Sequence, residues 1–120
     1  MSIADQYDEY TEAFDTAHDA LHEVASLANT TASITPPVLY QALGNLNGIA
    51  GMLQEILPSL ARAARTGGAE LELYDSEGGD SAQHLSAGTR ILEDAAVTAG
   101  QLLHLLQTAH AEIASVGYRD

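Results

Sequence analysis

Two histidines, His18 and His22, stand one helical turn apart in the stretch QYDEYTEAFDTAHDALHEVA, residues 6–25, with Asp15 and Asp19 on the same flank. That spacing suits two nitrogen ligands of zinc on a helix, but a closed site takes three or four ligands. His84, His104 and His110 are not spaced to complete it. Helical acids beside histidine more often make simple charge pairs, so no metal or other cofactor is expected. Cysteine is absent, which removes thiol nucleophiles, disulfides and thiolate metal sites. There is no Gly-rich phosphate loop, no nucleophile elbow and no Glu-x-x-His pair of the di-iron bundles. The helix-core positions read as apolar throughout, leaving no buried polar group whose pKa could be tuned. We therefore expect a protein that is not an enzyme.

The same stretch carries a second pattern. On a helical wheel Asp5, Asp8, Glu9, Glu12, Asp15, Asp19 and Glu23 fall within about 120° of one another, opposite the apolar residues. Carboxylates three or four residues apart repel by ~0.2 to 0.5 kcal/mol each, and no Lys or Arg is interleaved. A helix built for stability alone would alternate the signs, so the strip either keeps the chain dissolved or meets a basic surface. The whole chain has 17 acidic residues against four Arg and no Lys, a formal charge of −13. Such a balance argues against direct contact with nucleic acid or an anionic membrane. It suits a protein partner with a basic surface. Carboxylates standing in for phosphates, as in a DNA mimic, are the alternative, and a His-based metal-binding bundle is a third.

These residues need helices to hold them, and heptad spacing supplies three. Ile3, Tyr7, Tyr10, Phe14, Ala17, Leu21, Val24 and Ala28 step by four and three, the pattern of a helix packed on other helices. Leu39, Leu43, Leu46, Ala50, Leu53, Leu57, Leu60 and Ala64 repeat it, and so does a series from Leu85 through Gly88, Leu92, Ala95, Ala99, Leu102, Leu106, Ala109 and Ile113 to Val116. Ser2 ahead of Asp5, Thr35 ahead of Pro36, and Asp80 ahead of Gln83 mark the starts. The predicted helices are 3–29, 36–66 and 81–117, the last unbroken at Gly100, with a mobile acidic loop flanked by Gly pairs at 67–80. One domain, 1–120, is expected: an all-α, elongated, antiparallel three-helix bundle with coiled-coil-like packing.

Two features exceed what a monomer needs. Leu103 and Leu105 flank the core positions Leu102 and Leu106 on opposite sides, so at least one of them is free to face another chain. Gly44, Gly48 and Gly51 each cost the second helix about 1 kcal/mol relative to Ala, and small residues four apart let another backbone come close. A homodimer follows as the expectation. The N-terminal MSIADQYDEY has no basic region followed by an apolar run, and no stretch approaches the ~20 apolar residues of a membrane span. A cytoplasmic place is expected.

The segment TPPVLYQALGNLNGIAGMLQEILPSLARAARTGG, residues 35–68, resembles the central helix of small, uncharacterised all-helical proteins of actinobacterial genomes and their mobile elements. The residues that carry the likeness are Leu39, Tyr40, Leu43, Gly44, Leu57 and Pro58. The resemblance implies an all-helical fold and an origin, and supplies no activity or site residues.

Overall fold

The computed structural model describes residues 2–119. Three helices make up the chain, α1 (Ile3–Thr30), α2 (Pro36–Glu70) and α3 (Ser81–Ile113), and no strand occurs among the described residues. No helix among them is long and apolar enough to cross a membrane. Two compact units divide the chain, Met1–Ile34 and Thr35–Asp120.

The caps follow from local chemistry. Ser2 Oγ accepts from the Asp5 backbone N–H at 3.1 Å, and Asp80 Oδ1 accepts from that of Gln83 at 3.2 Å. Each satisfies an amide that the first turn leaves without a partner. Thr35 occupies the N-cap of α2 without a side-chain bond, and Pro36 at the first helical position fixes φ instead. Three ends differ from the sequence boundaries, α1 by a single residue at Thr30. α2 runs through Gly67 and Gly68 to Glu70, and Gly68 lies so close under Leu85 of α3 that a Cβ there would collide with Leu85 Cδ2. α3 continues unbroken past Gly100 and stops at Ile113, with a turn closed by Val116 N–H donating to Ile113 O at 3.0 Å.

α2 and α3 form a helical hairpin. Its contacts descend α3 as they ascend α2: Tyr40 and Asn47 meet His110, Gln54 lies over Gly100, Arg65 meets Glu93, and Gly68 meets Leu85. Ala50, Ala61, Ala96 and Ala99 are buried between the helices, with Thr89 at 2% exposure. Among the described residues no large side chain is fully buried. Small residues at the line of contact allow the two backbones a close approach, and the larger leucines take flanking places.

This contact line is shifted from the spacing expected on sequence. In α3 it runs Leu85, Thr89, Leu92, Ala96, Ala99, Leu103, Leu106, His110 and Ile113, all buried or half-buried. In α2 its centre is Leu43, Asn47, Ala50, Leu57, Ala61, Ala64 and Gly68. Half of each expected series therefore lies on the line. The other half, with Leu46 and Leu53 in α2 and Leu102 in α3, stands to one side, 39%, 39% and 44% exposed. The cause is geometric. The centre of an apolar face wide enough for two neighbours points between them, so the line toward either one lies to the side of that centre. The expectation of wholly apolar core positions also falls, since Asn47, Thr89 and His110 sit on the contact line.

Residues 71–80, expected to be a mobile loop, form an internally bonded turn. Asp75 Oδ1 accepts from Glu77 N–H at 2.9 Å, and Asp75 O accepts from Gly78 N–H at 3.0 Å. Gly78 has φ +81°, a conformation that favours glycine. The Asp75 carboxylate also lies 3.3 Å from His84 Nε2, tying the turn to the first turns of α3.

Candidate functional site

Taken by itself, α1 is a 28-residue helix with every described residue exposed. Asp5, Asp8, Glu9, Glu12, Asp15, Asp19 and Glu23 lie along one side, as their spacing predicts. The first 34 residues hold these seven carboxylates and no Lys or Arg. Among the described residues, His18 is the side chain that partners one of them, its Nδ1 3.5 Å from Asp19 Oδ1 with both groups well exposed. An exposed pair of this kind contributes little to stability. The rest of the strip faces water. Opposite it run Tyr7, Tyr10, Phe14, Leu21 and Val24, with the Tyr10 and Phe14 rings stacked at 6.3 Å between centroids. Within its own unit, then, α1 presents two long faces of opposite character, and both are free for contact.

The His18 and His22 rings lie nearly parallel, 3° between planes and 6.3 Å between centroids. Among the described residues no three His, Cys, Asp or Glu side chains converge on a point that could hold a metal ion.

On the hairpin, the five residues read as self-association candidates separate into two groups. Leu103 is half-buried on the contact line, and Gly44 lies beside His110, whose Nε2 would be 3.5 Å from an added Cβ. These two serve the hairpin itself. Leu105 is 66% exposed, and nothing stands within 4 Å of an added Cβ at Gly48 or Gly51. Those three remain available to a second chain.

The larger open feature combines both helices. Leu39, Ala42, Leu46, Ile49, Leu53, Ile56 and Leu60 form a second three-and-four series along α2, adjoining the contact line. Ala95, Leu102 and Ala109, spaced by seven, adjoin the line on α3, with Ile91 and Leu105 farther round. In a hairpin whose helices run oppositely, both sets fall on the same broad side. Six of these side chains, Leu46, Leu53, Ile56, Ile91, Leu102 and Leu105, keep 37% to 66% of their surface in water. Covering them would yield roughly 4 to 9 kcal/mol, from the ~1.5 to 3 kcal/mol for burying one such chain completely.

Sequence reasoning missed a polar cluster at the open end of the hairpin. His110 stacks on Tyr40 with 4.0 Å between centroids, and Asn47 Nδ2 lies 3.5 Å from His110 Nδ1. Asn47 Oδ1 is buried without a hydrogen-bond partner. The signal was present as register: extending the series through Leu43 and Ala50 places 47 between them, and extending Leu103 and Leu106 places 110 next. One ion pair has a resolved effect on ionisation. Arg65 donates to Glu93 across the hairpin. That hydrogen bond lowers the Glu93 pKa below the usual carboxylate value and raises that of Arg65.

No family model, curated protein or solved structure matches the chain.

Proposed function

We propose that this chain is a non-enzymatic helical protein-interaction module, an adaptor or inhibitor, that meets a basic protein surface through the acidic side of α1. The observation that carries the reading is the strip itself: seven carboxylates on one side of a single helix, all exposed, with no cation among the first 34 residues. Like charges so arranged lower helix stability by roughly 1.5 to 3.5 kcal/mol before screening, for seven neighbouring pairs. A partner bearing Lys or Arg would relieve that repulsion and gain steering over the distance of a Debye length.

The proposal extends to architecture. We place α1 as the third helix of an antiparallel bundle with coiled-coil packing. Three features support this: the heptad spacing of its aromatic stripe, the open aliphatic side of the hairpin, and the short link at residues 31–35, typical of neighbouring antiparallel helices. Gly48 and Gly51, outside that side, then remain for contact with a second copy, giving a homodimer. A cytoplasmic setting fits the cysteine-free composition, and the likeness of residues 35–68 to actinobacterial mobile-element helices suggests the source.

Capture from host lysate tests the reading. Wild type and a variant with Asp8→Asn, Glu12→Gln, Asp15→Asn and Asp19→Asn are compared at low and high salt. The expected outcome is a partner retained by wild type at low salt and lost both at high salt and in the variant. Equal capture by a well-folded variant sinks the proposal and assigns the strip to solvation. A captured protein that DNA displaces would instead favour the DNA-mimic reading.

A further inference from the structure

We propose that His18 and His22 form an open, two-histidine chelate for a late first-row divalent ion, copper(II) in preference to nickel(II) or zinc(II). The inference is independent of the partner-binding role given to the acidic strip. A structural zinc site is closed by four ligands, and the described residues bring no three together. A surface chelate requires only two, with water filling the remaining positions.

Three observations point to the pair. The rings project from successive turns, nearly parallel and 6.3 Å apart, so both imidazoles leave the helix on the same side. Ligand nitrogens sit about 2.0 to 2.1 Å from such an ion, so the two rings must turn toward each other to share it. The exposure of both side chains leaves nothing packed against them to oppose that turn. Next, Asp19 Oδ1 lies 3.5 Å from His18 Nδ1. A carboxylate on that nitrogen favours the tautomer with the proton at Nδ1 and leaves the Nε2 lone pair for the metal. Last, Asp15 and Asp19 stand three residues before His18 and His22 respectively, in a unit with no Lys or Arg, so the local potential concentrates cations.

The chemistry also selects the ion. Imidazole nitrogen suits copper, nickel and zinc, while magnesium and calcium take oxygen ligands. Among the divalent ions copper binds most tightly at a given nitrogen site.

Titration calorimetry of the full chain with copper(II) and nickel(II) chloride, in a non-coordinating buffer, tests the inference. One ion per chain is expected. His22→Ala should weaken binding about tenfold or more, because the second nitrogen acts intramolecularly once the first is bound. His18→Ala should do the same, and the double variant should add little. Asp15→Asn with Asp19→Asn should weaken binding several-fold at low salt and less at high salt. The copper(II) spin-resonance spectrum of wild type should show two imidazole nitrogens, and that of either single variant one. Circular dichroism of each variant checks that α1 stays helical, and His18→Gln with His22→Gln repeats the measurement with side chains of similar length. Undiminished affinity in His22→Ala, or a one-nitrogen spectrum from wild type, would overturn the chelate.

Discussion

α1 and the α2–α3 hairpin are written in the same heptad spacing and differ in how charge is distributed along them. The first 34 residues carry seven carboxylates and no Lys or Arg, while all four Arg belong to residues 35–120. Within the hairpin, residues 36–54 and 95–111 contain no Asp, Glu, Lys or Arg at all. α1 thus has a charged side and an apolar side back to back, whereas the open end of the hairpin is uncharged all round. Apolar periodicity specifies that a helix has a face to cover. The charge on the remaining circumference decides what else that helix can touch, and at what ionic strength.

The contrast can be broken most forcefully at the aliphatic side of the hairpin. Leu53→Glu together with Leu102→Glu should cost about 3 kcal/mol or more if that side is covered in the assembled protein, since each change buries a charge. Chemical denaturation measures the loss, and sedimentation shows whether a smaller species appears with it. A loss under ~0.5 kcal/mol, usual for open surface, would mean that the leucines remain in water. Next in size, neutralising Asp8, Glu12, Asp15 and Asp19 should leave thermal stability unchanged or raise it by about 1 to 2 kcal/mol at low salt, with less gain at high salt. A destabilised variant at low salt would show that the strip has internal partners.

Smaller effects sharpen the comparison within the hairpin. Gly48→Ala and Gly51→Ala should each stabilise α2 by about 1 kcal/mol, because nothing stands within 4 Å of the added methyl group. If a second chain packs its backbone there, the same changes should lower the dimer affinity measured by light scattering while the helix gains stability. The smallest change is expected at the half-exposed Arg65–Glu93 pair. The depressed Glu93 pKa means that the folded state favours its ionised form. The pair's support is therefore complete above the ordinary carboxylate pKa and disappears as pH falls through the lowered value. Melts of wild type and Glu93→Gln should differ slightly at neutral pH and converge in acid; a gap that widens in acid would contradict the assignment.

Much of this was legible in the sequence because it depends on local periodicity. The existence of three helices, the caps at Ser2 and Asp80, the continuity of α3 across Gly100 and the single acidic side of α1 all follow from residue spacing. What was hidden is set by distance in space. Leu46, Leu53 and Leu102 look like core because they lie at the middle of wide apolar faces, yet the contact line runs beside them through alanines. Asn47 and His110 are 63 residues apart, and neither has a neighbour in sequence that announces the other. Gly68 reads as a helix stop, because the Leu85 side chain that makes a glycine useful inside α2 comes from the other helix.

The alanines of the contact line have a further consequence for how the hairpin finds its alignment. Ala50, Ala61, Ala64, Ala96 and Ala99 are nearly interchangeable knobs, so sliding one helix past the other by a heptad, about 10 Å, would still bring small residues together. Such a seam holds little information about its own phase. The Asn47–His110 pair supplies it, as a single polar group does in other helical seams. After a one-heptad slip Asn47 would face Leu103, its amide parted from the His110 ring. Tyr40 would lose its stacking partner at the same step. The cluster therefore acts as an alignment key that lets a low-contrast zipper close in one phase out of several.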